Sequence, residues 1–401
     1  MYTEILPELI IKNDKKAILL VADGVAGCTV NGITELDAAT TPNLDALAAE
    51  SSLGLHYPVG YGITPGSGPG HLALFGYDPI KNQIGRGVLE AFGVGMDVPP
   101  GHLALRGNFA TLKDGIIVDR RADRISTEKN LELVQRITED FAEIDGVRVE
   151  IKTVKEHRFA VVFHGVVLFD NVTDADPLKD NLPPVKAVPR DKASVRSAYT
   201  INNFIERVTR LLANEEKANT CLLRGASNLP DIQNFEDRTG LRGQAIAAYP
   251  MYKGLARLVK MVTPDGLNEI EKEVEHLKKT FKKDLDFHFV HYKPTDSSGE
   301  DGDFDKKVAA IEAFDKIIPD VLETNPDVLV ITGDHSTPSS LSGHGWHGVP
   351  VLIHGEYAFA DDAKRFTERS AANHGILGHI PGQAIMMYIL ANCGRLSKFG
   401  A

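Results

Sequence analysis

The chain has 401 residues, of which 43% are hydrophobic and 25% charged, as is typical of a soluble globular protein with a large core. Its formal net charge of −11 argues against nonspecific binding of nucleic acid. No apolar run reaches the roughly 18 residues of a membrane span, and the N-terminal residues are acidic where a signal peptide would be basic. We therefore expect a cytoplasmic protein without a membrane or nucleic-acid partner. Its 3 cysteines are far apart, which predicts reduced thiols.

Four short apolar segments predict buried strands, and helical patterns lie between them. The strands are expected at 15–24, 158–165, 286–293 and 327–334, which are rich in Val, Ile and Phe. A helix is expected to begin at Pro42 after Thr41 as its N-cap, and two amphipathic patterns predict helices within 265–281 and 306–323. Strands that alternate with helices predict an α/β fold with a mostly parallel sheet flanked by helices.

The composition changes between residues 91 and 240, where Pro-rich and charged stretches interrupt the alternation of strands and helices. We interpret 91–240 as a smaller α+β domain that is inserted into a discontinuous core domain, formed by 1–90 and 241–401. The length of the chain alone agrees with one large domain that carries an insertion, or with two domains.

Three of the predicted strands are followed by acidic residues. Asp23 follows the first, Asp296 follows the strand at 286–293 after a short linker, and Asp334 with His335 follows the last. Ligands of open parallel sheets bind beyond the carboxyl ends of the strands, so these side chains are expected to converge. Aspartates and histidines together suit a dinuclear zinc, manganese or magnesium site. Any one of these aspartates alone also fits a turn or a helix cap, and only the set favours metal.

Ser67 lies between Gly66 and Gly68, just before a helical pattern that begins near His71. The glycines permit a sharp turn and a close approach of substrate. A helix N-terminus stabilises anions and would favour both an alkoxide and a phosphate at Ser67. A flexible Gly/Ser turn also explains this stretch in isolation, but a metal at the same edge of the sheet would activate the serine as a nucleophile.

Taken together, these motifs resemble the alkaline phosphatase superfamily, and more closely its cofactor-independent phosphoglycerate mutases of the archaeal-type branch. The resemblance is carried by Asp23-Gly, Ser67 with Gly70-His71, Asp296 with its acidic tail, Asp334-His335 and the segment HGWHGVP. TTPNLDALA, LALFGYDP, VDRRADRI, LLRGA and YPMYKGLARL extend it over nearly the whole chain. It implies an alkaline-phosphatase-like core and the interconversion of 3-phosphoglycerate and 2-phosphoglycerate, in glycolysis and gluconeogenesis, through a phosphoserine at Ser67.

The resemblance also implies two divalent metal ions (Mn, Mg, Co or Zn) and no 2,3-bisphosphoglycerate. The implied ligands form two sets: Asp23, Ser67, Asp334 and His335 for one ion, and Asp296, Glu300 and His344 for the other. His344 is preferred to His347 because the family's histidine precedes the Val-Pro pair by five positions. His347 and His354 are expected to lie outside the ligand set, and Trp346 is expected to pack as a lid.

Glu300 stands where the family usually has histidine. A carboxylate ligates the same metals, so the second site is expected either to persist with an altered metal preference or to be weakened. We expect Glu300 to be a ligand.

The inserted domain is expected to bind the substrate. Arg120, Arg121 and Arg124 offer forked donors that suit a carboxylate or phosphate, and Asp119 or Asp123 would move protons between the glycerate hydroxyls. A run of this composition alone also fits a solvated, salt-bridged turn, and the resemblance favours the functional role. The resemblance further assigns Lys253 to the phosphate, and the remaining candidates for substrate binding are His71, Arg86 and Arg224.

Two alternatives remain from the sequence. The first is a metal-dependent phosphatase or another phosphomutase of the same superfamily, which glycerate-specific turnover without net release of phosphate would exclude. The second is a noncatalytic binding protein whose metal site has decayed at Glu300, although the other ligand candidates are retained. The oligomeric state is open between a monomer and a homo-oligomer.

Overall fold

The computed structural model describes residues 4–282 and 284–400. The chain forms two compact units, Met1–Gln83 with Ile232–Ala401, and Ile84–Asp231. These bounds differ by a few residues from the sequence-based domains. Residues 84–90 belong to the smaller unit, because the helix Arg86–Gly93 packs on the strands Leu103–Lys113 and Thr220–Ser227.

The helices and strands are numbered separately in chain order. The helices are α1 Leu6–Leu9, α2 Glu35–Ala38, α3 Pro42–Ala48, α4 Ser67–Leu74, α5 Arg86–Gly93, α6 Thr127–Asp140, α7 Val195–Leu211, α8 Phe235–Thr239, α9 Pro250–Leu258, α10 Ile270–Thr280, α11 Pro294–Glu300, α12 Phe304–Asp315, α13 Ile318–Leu322, α14 Glu368–His374 and α15 Ala384–Asn392. The strands are β1 Ala17–Ala22, β2 Ser52–Tyr57, β3 Leu103–Lys113, β4 Ile116–Asp119, β5 Glu143–Ile144, β6 Val147–Lys155, β7 Arg158–His164, β8 Thr220–Ser227, β9 Gly243–Ile246, β10 Phe287–Tyr292, β11 Val328–Thr332, β12 Val349–Gly355 and β13 Gly378–Pro381.

The larger unit contains a seven-stranded sheet in the order β13-β2-β12-β11-β1-β10-β9. The pairs β11–β1, β1–β10, β10–β9 and β13–β2 are parallel, and β12 runs antiparallel to both of its neighbours. Every residue of β1, β10 and β11 is buried, which explains why these strands are uninterrupted apolar runs. The predicted α/β class with a mostly parallel sheet is therefore confirmed.

The smaller unit contains a six-stranded sheet in the order β4-β3-β7-β6-β5, with β8 also paired to β3, and all of these pairs are antiparallel. The segment 158–165, predicted as a strand, is β7 of this sheet. A separate apolar core lies within the unit and includes Phe109, Phe163 and Phe204. These features confirm the predicted α+β character of this part of the chain.

One expectation about helices needs correction, and the predicted start of α3 at Pro42 is confirmed. The pattern at 306–323 forms two helices, α12 and α13, because Pro319 lacks the N–H that a continuous helix would require at that position. Thr41 is the N-cap of α3, but its side chain makes no capping hydrogen bond and donates to Asp45 Oδ1 at 3.2 Å instead.

No helix among the described residues is both long and apolar enough to span a membrane. Cys28, Cys221 and Cys393 are free thiols, as the sequence predicts.

Candidate metal centre

The adjacent parallel strands β11, β1 and β10 bring three acidic residues to one edge of the larger sheet. Asp23 follows β1 directly, Asp334 follows β11, and Asp296 lies in the first turn of α11 just after β10. All three aspartates are fully buried. Gly24 adopts a φ of +59°, and a Cβ there would lie 2.3 Å from Thr337 Oγ1. Only glycine permits this close approach of the loop after β1 to the loop after β11.

The first cluster consists of Asp23, Asp334 and His335, which offer ligand atoms within 4.8 Å of one another. His335 Nε2 lies 3.3 Å from Asp23 Oδ1 and 3.2 Å from Asp334 Oδ2. Ser67, the first residue of α4, places its Oγ 3.2 Å from the same nitrogen. Asp23 Oδ1 and Asp334 Oδ2 are buried and have no hydrogen-bond partner among the described residues. Because buried carboxylate oxygens without a donor are costly, this arrangement fits a cation.

The second cluster consists of Asp296, His335 and His344, again within 4.8 Å. His344 Nε2 lies 3.7 Å from Asp296 Oδ1, and the His344 ring stacks on His335 with centroids 3.7 Å apart. The Nδ1 of His344 lies 2.9 Å from the carbonyl oxygen of Pro65. A proton on Nδ1 would leave Nε2 as an acceptor that can hold a metal.

Glu300 lies outside this cluster but near it. Its Oε1 is 3.9 Å from His344 Nε2, and its side chain is 54% exposed. Asp296 and Glu300 are four positions apart on α11, so both side chains can face the same side of the helix. The role of Glu300 as a metal ligand stays a prediction.

Three residues that the sequence reasoning missed surround Asp23. Tyr252 donates its hydroxyl to Asp23 Oδ2, and His291 Nε2 and Lys293 Nζ lie 3.1 and 3.0 Å from the same oxygen. Burial opposes ionisation of Asp23, but the hydrogen bond from His291 and the charge of Lys293 outweigh it, so the pKa of Asp23 stays well below its ordinary value. His291 and Lys293 alternate along FHFVHYK, and polar residues at this point of an apolar strand were the available signal.

His71 supports Asp334 from inside the protein. It is fully buried, its Nδ1 lies 3.1 Å from Asp334 Oδ2, and its ring centroid is 4.4 Å from that of Tyr252. Burial opposes protonation, but the neighbouring carboxylate of Asp334 outweighs it and raises the pKa of His71. These contacts fit a role for His71 in orienting Asp334, and the direct substrate contact considered from the sequence stays a prediction.

The other candidates of the larger unit have different surroundings. Lys253 lies on α9, and its charge opposes the rise in the pKa of Glu273 to about 8, which is caused chiefly by burial. Among the described lysines, Lys293 contacts Asp23 directly. Trp346 is half exposed and stacks on His347. His354 lies on β12, and its Nδ1 is 3.2 Å from Ser51 Oγ.

The run 119–124 in the smaller unit forms a tight turn. Asp119 accepts hydrogen bonds from the backbone N–H groups of Arg121 and Asp123, one on each oxygen. This geometry makes Asp119 a cap of the turn, and the proton-carrying role expected from the sequence stays a prediction. Ala122, Asp123 and Arg124 all have positive φ. Three consecutive non-glycine residues in this region are strained, and such strain often accompanies a functional constraint.

The three arginines of this run have different environments. Arg120 donates from Nε and Nη2 to the two oxygens of buried Asp176, each at 2.7 Å. Arg121 and Arg124 are exposed, and no carboxylate among the described residues lies within ion-pair distance of either. Asp123 pairs with Lys217 at 2.5 Å. Arg121 and Arg124 are therefore available to an anionic ligand, whereas Arg120 is held by Asp176.

A second group of cations lies in the smaller sheet. Arg106 of β3 and Arg224 of β8 are register partners. Arg158 begins β7, and the Nε atoms of all three arginines are buried without a hydrogen-bond partner among the described residues. Burial lowers the pKa of Arg106, and the charges of Arg224, Arg158 and Arg86 add to this effect. The sequence reasoning selected Arg86 and Arg224 but missed Arg106 and Arg158, which sit in strands without any motif.

Known proteins are similar to this chain over nearly its whole length. The sequence profile of a family described as 2,3-bisphosphoglycerate-independent phosphoglycerate mutase matches residues 48–218. A probable 2,3-bisphosphoglycerate-independent phosphoglycerate mutase of Aquifex aeolicus is 49% identical over 409 residues, covering 99% of this chain and 100% of the relative.

Two solved structures are also similar over almost the full length. A Pyrococcus horikoshii protein is 30% identical with a TM-score of 0.82, covering 97% of this chain and 100% of that one. A cofactor-independent phosphoglycerate mutase from Thermoplasma acidophilum is 31% identical with a TM-score of 0.74, covering 95% of this chain and 100% of that one. The chain therefore belongs to the 2,3-bisphosphoglycerate-independent phosphoglycerate mutase family.

Proposed function

We propose that this chain interconverts 3-phosphoglycerate and 2-phosphoglycerate through a phosphoserine at Ser67. The observation that carries the proposal is the position of Ser67 at the start of α4, with its Oγ 3.2 Å from His335 Nε2. His335 belongs to both clusters of candidate ligands. A nucleophile next to two candidate metal positions suits phosphoryl transfer.

Asp23, Ser67, Asp334 and His335 would hold one divalent ion, and Asp296, Glu300 and His344 would hold the other. The buried oxygens Asp23 Oδ1 and Asp334 Oδ2, which accept no hydrogen bond among the described residues and face His335 Nε2, support the first site. The distance of 3.7 Å between His344 Nε2 and Asp296 Oδ1 supports the second site. Bound ions would neutralise the phosphate oxygens and lower the pKa of the serine hydroxyl.

The chain's own groups then act in sequence. Ser67 Oγ forms a bond to phosphorus while the bond from phosphorus to the glycerate oxygen breaks, and the proton lost by Ser67 ends on that oxygen. Because Ser67 is the first residue of α4, the backbone N–H groups of the first turn of this helix would stabilise the charge of the phosphoserine. Glycerate reorients, its other hydroxyl oxygen takes the phosphoryl group, and Ser67 regains a proton. Water has to be excluded meanwhile, because it would hydrolyse the phosphoserine.

For the glycerate carboxylate we propose Arg121 and Arg124, with Arg224 as a further candidate. Their availability supports this role, since the two exposed arginines have no ion-pair partner among the described residues. Arginine suits a carboxylate because its planar fork donates two parallel hydrogen bonds. Arg120 is not assigned to the substrate because Asp176 holds its Nε and Nη2 in a two-point contact.

The test is the fate of phosphate in Ser67→Ala and in a matched control, Thr64→Ala. Thr64 is an exposed hydroxyl in the same loop. Wild type and Thr64→Ala are expected to convert 3-phosphoglycerate with added Mn²⁺ and without 2,3-bisphosphoglycerate, and peptide mass mapping after an acid quench should find phosphate on Ser67. Ser67→Ala should retain its melting temperature and lose turnover.

Four results would contradict the proposal. Turnover at the wild-type rate in Ser67→Ala, or phosphate on another residue, would remove Ser67 as the nucleophile. Release of inorganic phosphate in proportion to the substrate consumed would instead identify a phosphatase. A protein that binds phosphoglycerate but never turns it over would be the noncatalytic alternative.

A further inference from the structure

Lys293 connects the two candidate ligand clusters. It follows β10 directly and precedes Pro294 of α11. Its Nζ lies 3.0 Å from Asp23 Oδ2 and 2.5 Å from Asp296 Oδ2. Asp23 belongs to the first cluster and Asp296 to the second. A single ammonium group therefore contacts one carboxylate of each.

The two oxygens of Asp23 have different environments. Asp23 Oδ2 faces donors from Tyr252, His291 and Lys293. Asp23 Oδ1 is buried, has no hydrogen-bond partner among the described residues, and lies 3.3 Å from His335 Nε2. The donors on Oδ2 thus leave Oδ1 as the oxygen that faces the cluster.

Asp296 shows a similar division. Its Oδ2 contacts Lys293, whereas its Oδ1 accepts from Thr337 Oγ1 at 2.6 Å and lies 3.7 Å from His344 Nε2. In both aspartates Lys293 holds the Oδ2 atom and the Oδ1 atom faces a histidine of the cluster. The side chain of Lys293 is itself held over the rings of Tyr249 and Tyr252, at 5.3 and 5.6 Å from their centroids.

We propose that Lys293 is a positioning residue that links the two metal sites. Its ammonium orients one carboxylate ligand of each site so that a single oxygen faces the ion, and it sets the separation of the two carboxylates. The inference rests on the proposed function, because it concerns the two metal ions of that function. The inference goes beyond the proposed function because it assigns to Lys293 the coupling of the two metal sites.

Two opposing effects decide the outcome of removing Lys293. The positive charge of the ammonium repels a divalent ion, so its loss would tighten binding. The ammonium also holds together carboxylates that otherwise repel one another, and hydrogen bonds to ligating groups typically contribute about 10–100-fold in metal affinity. Since the ammonium contacts both carboxylates directly, we expect orientation to dominate.

The experiment is a calorimetric titration of metal-stripped protein with Mn²⁺, together with metal content per chain. Wild type should bind two ions. Lys293→Met, which keeps the length of the side chain and removes its charge, should bind both ions about tenfold more weakly or worse. Tyr252→Phe removes a hydroxyl that donates to Asp23 and accepts from Lys293 at 3.2 Å, but it leaves Lys293 able to contact Asp296, so it should weaken the first site more than the second. Lys279→Met, on an exposed part of α10, should leave both affinities unchanged.

Melting temperatures of the metal-free proteins check that each variant is folded. If Lys293→Met does not fold, Lys293→Arg provides the comparison, because it retains charge and donors but moves them, and it should weaken both sites to a smaller extent. Tighter binding by Lys293→Met would mean that the lysine merely takes the place of an ion, and a loss at one site only would remove the link. Either result overturns the inference about Lys293 and leaves the proposed function intact, provided that the wild-type protein binds two ions. A wild type that binds no metal would instead contradict the proposed function.

Discussion

Neighbouring arginines in the turn at 119–124 differ in what they contact. Arg120 makes a two-point contact with Asp176, whose side chain is fully buried, and 15% of the Arg120 side chain is exposed. Arg121 is exposed and its backbone N–H is held by Asp119. The same residue type therefore stabilises the fold at one position and is available for an anion at the next.

We expect Arg120→Met and Arg121→Met to affect different properties. Loss of Arg120 leaves Asp176 buried without its partner, so the free energy of unfolding should fall by about 3 kcal/mol. Arg121→Met should leave stability unchanged and raise the KM for phosphoglycerate, with little effect on hydrolysis of a small aryl phosphate. Urea unfolding and steady-state kinetics of both variants measure this. Equal losses of stability in the two variants would show that Arg121 is also structural.

At the scale of elements, α12 ties together the loops that carry the candidate ligands. Lys307 of this helix is fully buried. Its Nζ donates to the carbonyl oxygens of Gly24 and Ala26 at 3.0 Å each, and to that of Thr337 at 2.7 Å. Gly24 follows Asp23, and Thr337 lies two positions after His335. One side chain therefore fixes the loop after β1 against the loop after β11.

Lys307→Met should destabilise the larger unit by about 3 kcal/mol or more, because three buried carbonyl groups lose a charged donor. Lys306→Met is the matched control, since Lys306 is its exposed neighbour and pairs with Asp301 on the surface. Exposed pairs contribute about 0–1 kcal/mol, so the control should change little. Chemical denaturation of the metal-free proteins gives both values. A small effect of Lys307→Met would mean that the loops hold their positions without it.

For the whole molecule, the two units have separate hydrophobic cores, and both candidate ligand clusters lie in the larger one. An ion that binds only the folded state stabilises it by about 2.7 kcal/mol at roughly 100 times its dissociation constant. The stabilisation should therefore be concentrated in the larger unit.

We expect Mn²⁺ to slow amide hydrogen exchange in peptides from β1, β10 and β11, and removal of the metal with a chelator to reverse this. Peptides from β3 and β7 of the smaller unit serve as the internal control and should exchange at the same rate in both states. Hydrogen-exchange mass spectrometry measures both sets in one sample. Equal protection of both sets would show that metal binding is coupled to the smaller unit as well.

Much of the larger unit could be predicted from its sequence. Uninterrupted apolar runs of strand length are recognisable because β1, β10 and β11 are buried on both faces. The residues that follow those strands meet because neighbouring parallel strands end at one edge, which explains the predicted convergence of Asp23, Asp296 and Asp334. The break between α12 and α13 at Pro319 was also within reach of the sequence, and the amphipathic pattern concealed it.

The sequence by itself determined the buried strands β1, β10 and β11 and the acidic residues that follow them, because these depend on local patterns of a few residues. Only the tertiary structure decided that Lys293 contacts both Asp23 and Asp296, and that Arg120 is held by Asp176 while Arg121 stays exposed. Such contacts depend on the register of neighbouring strands and on the direction in which each side chain leaves its backbone. Those quantities are set by the packing of residues far apart in the chain, and no local pattern encodes them.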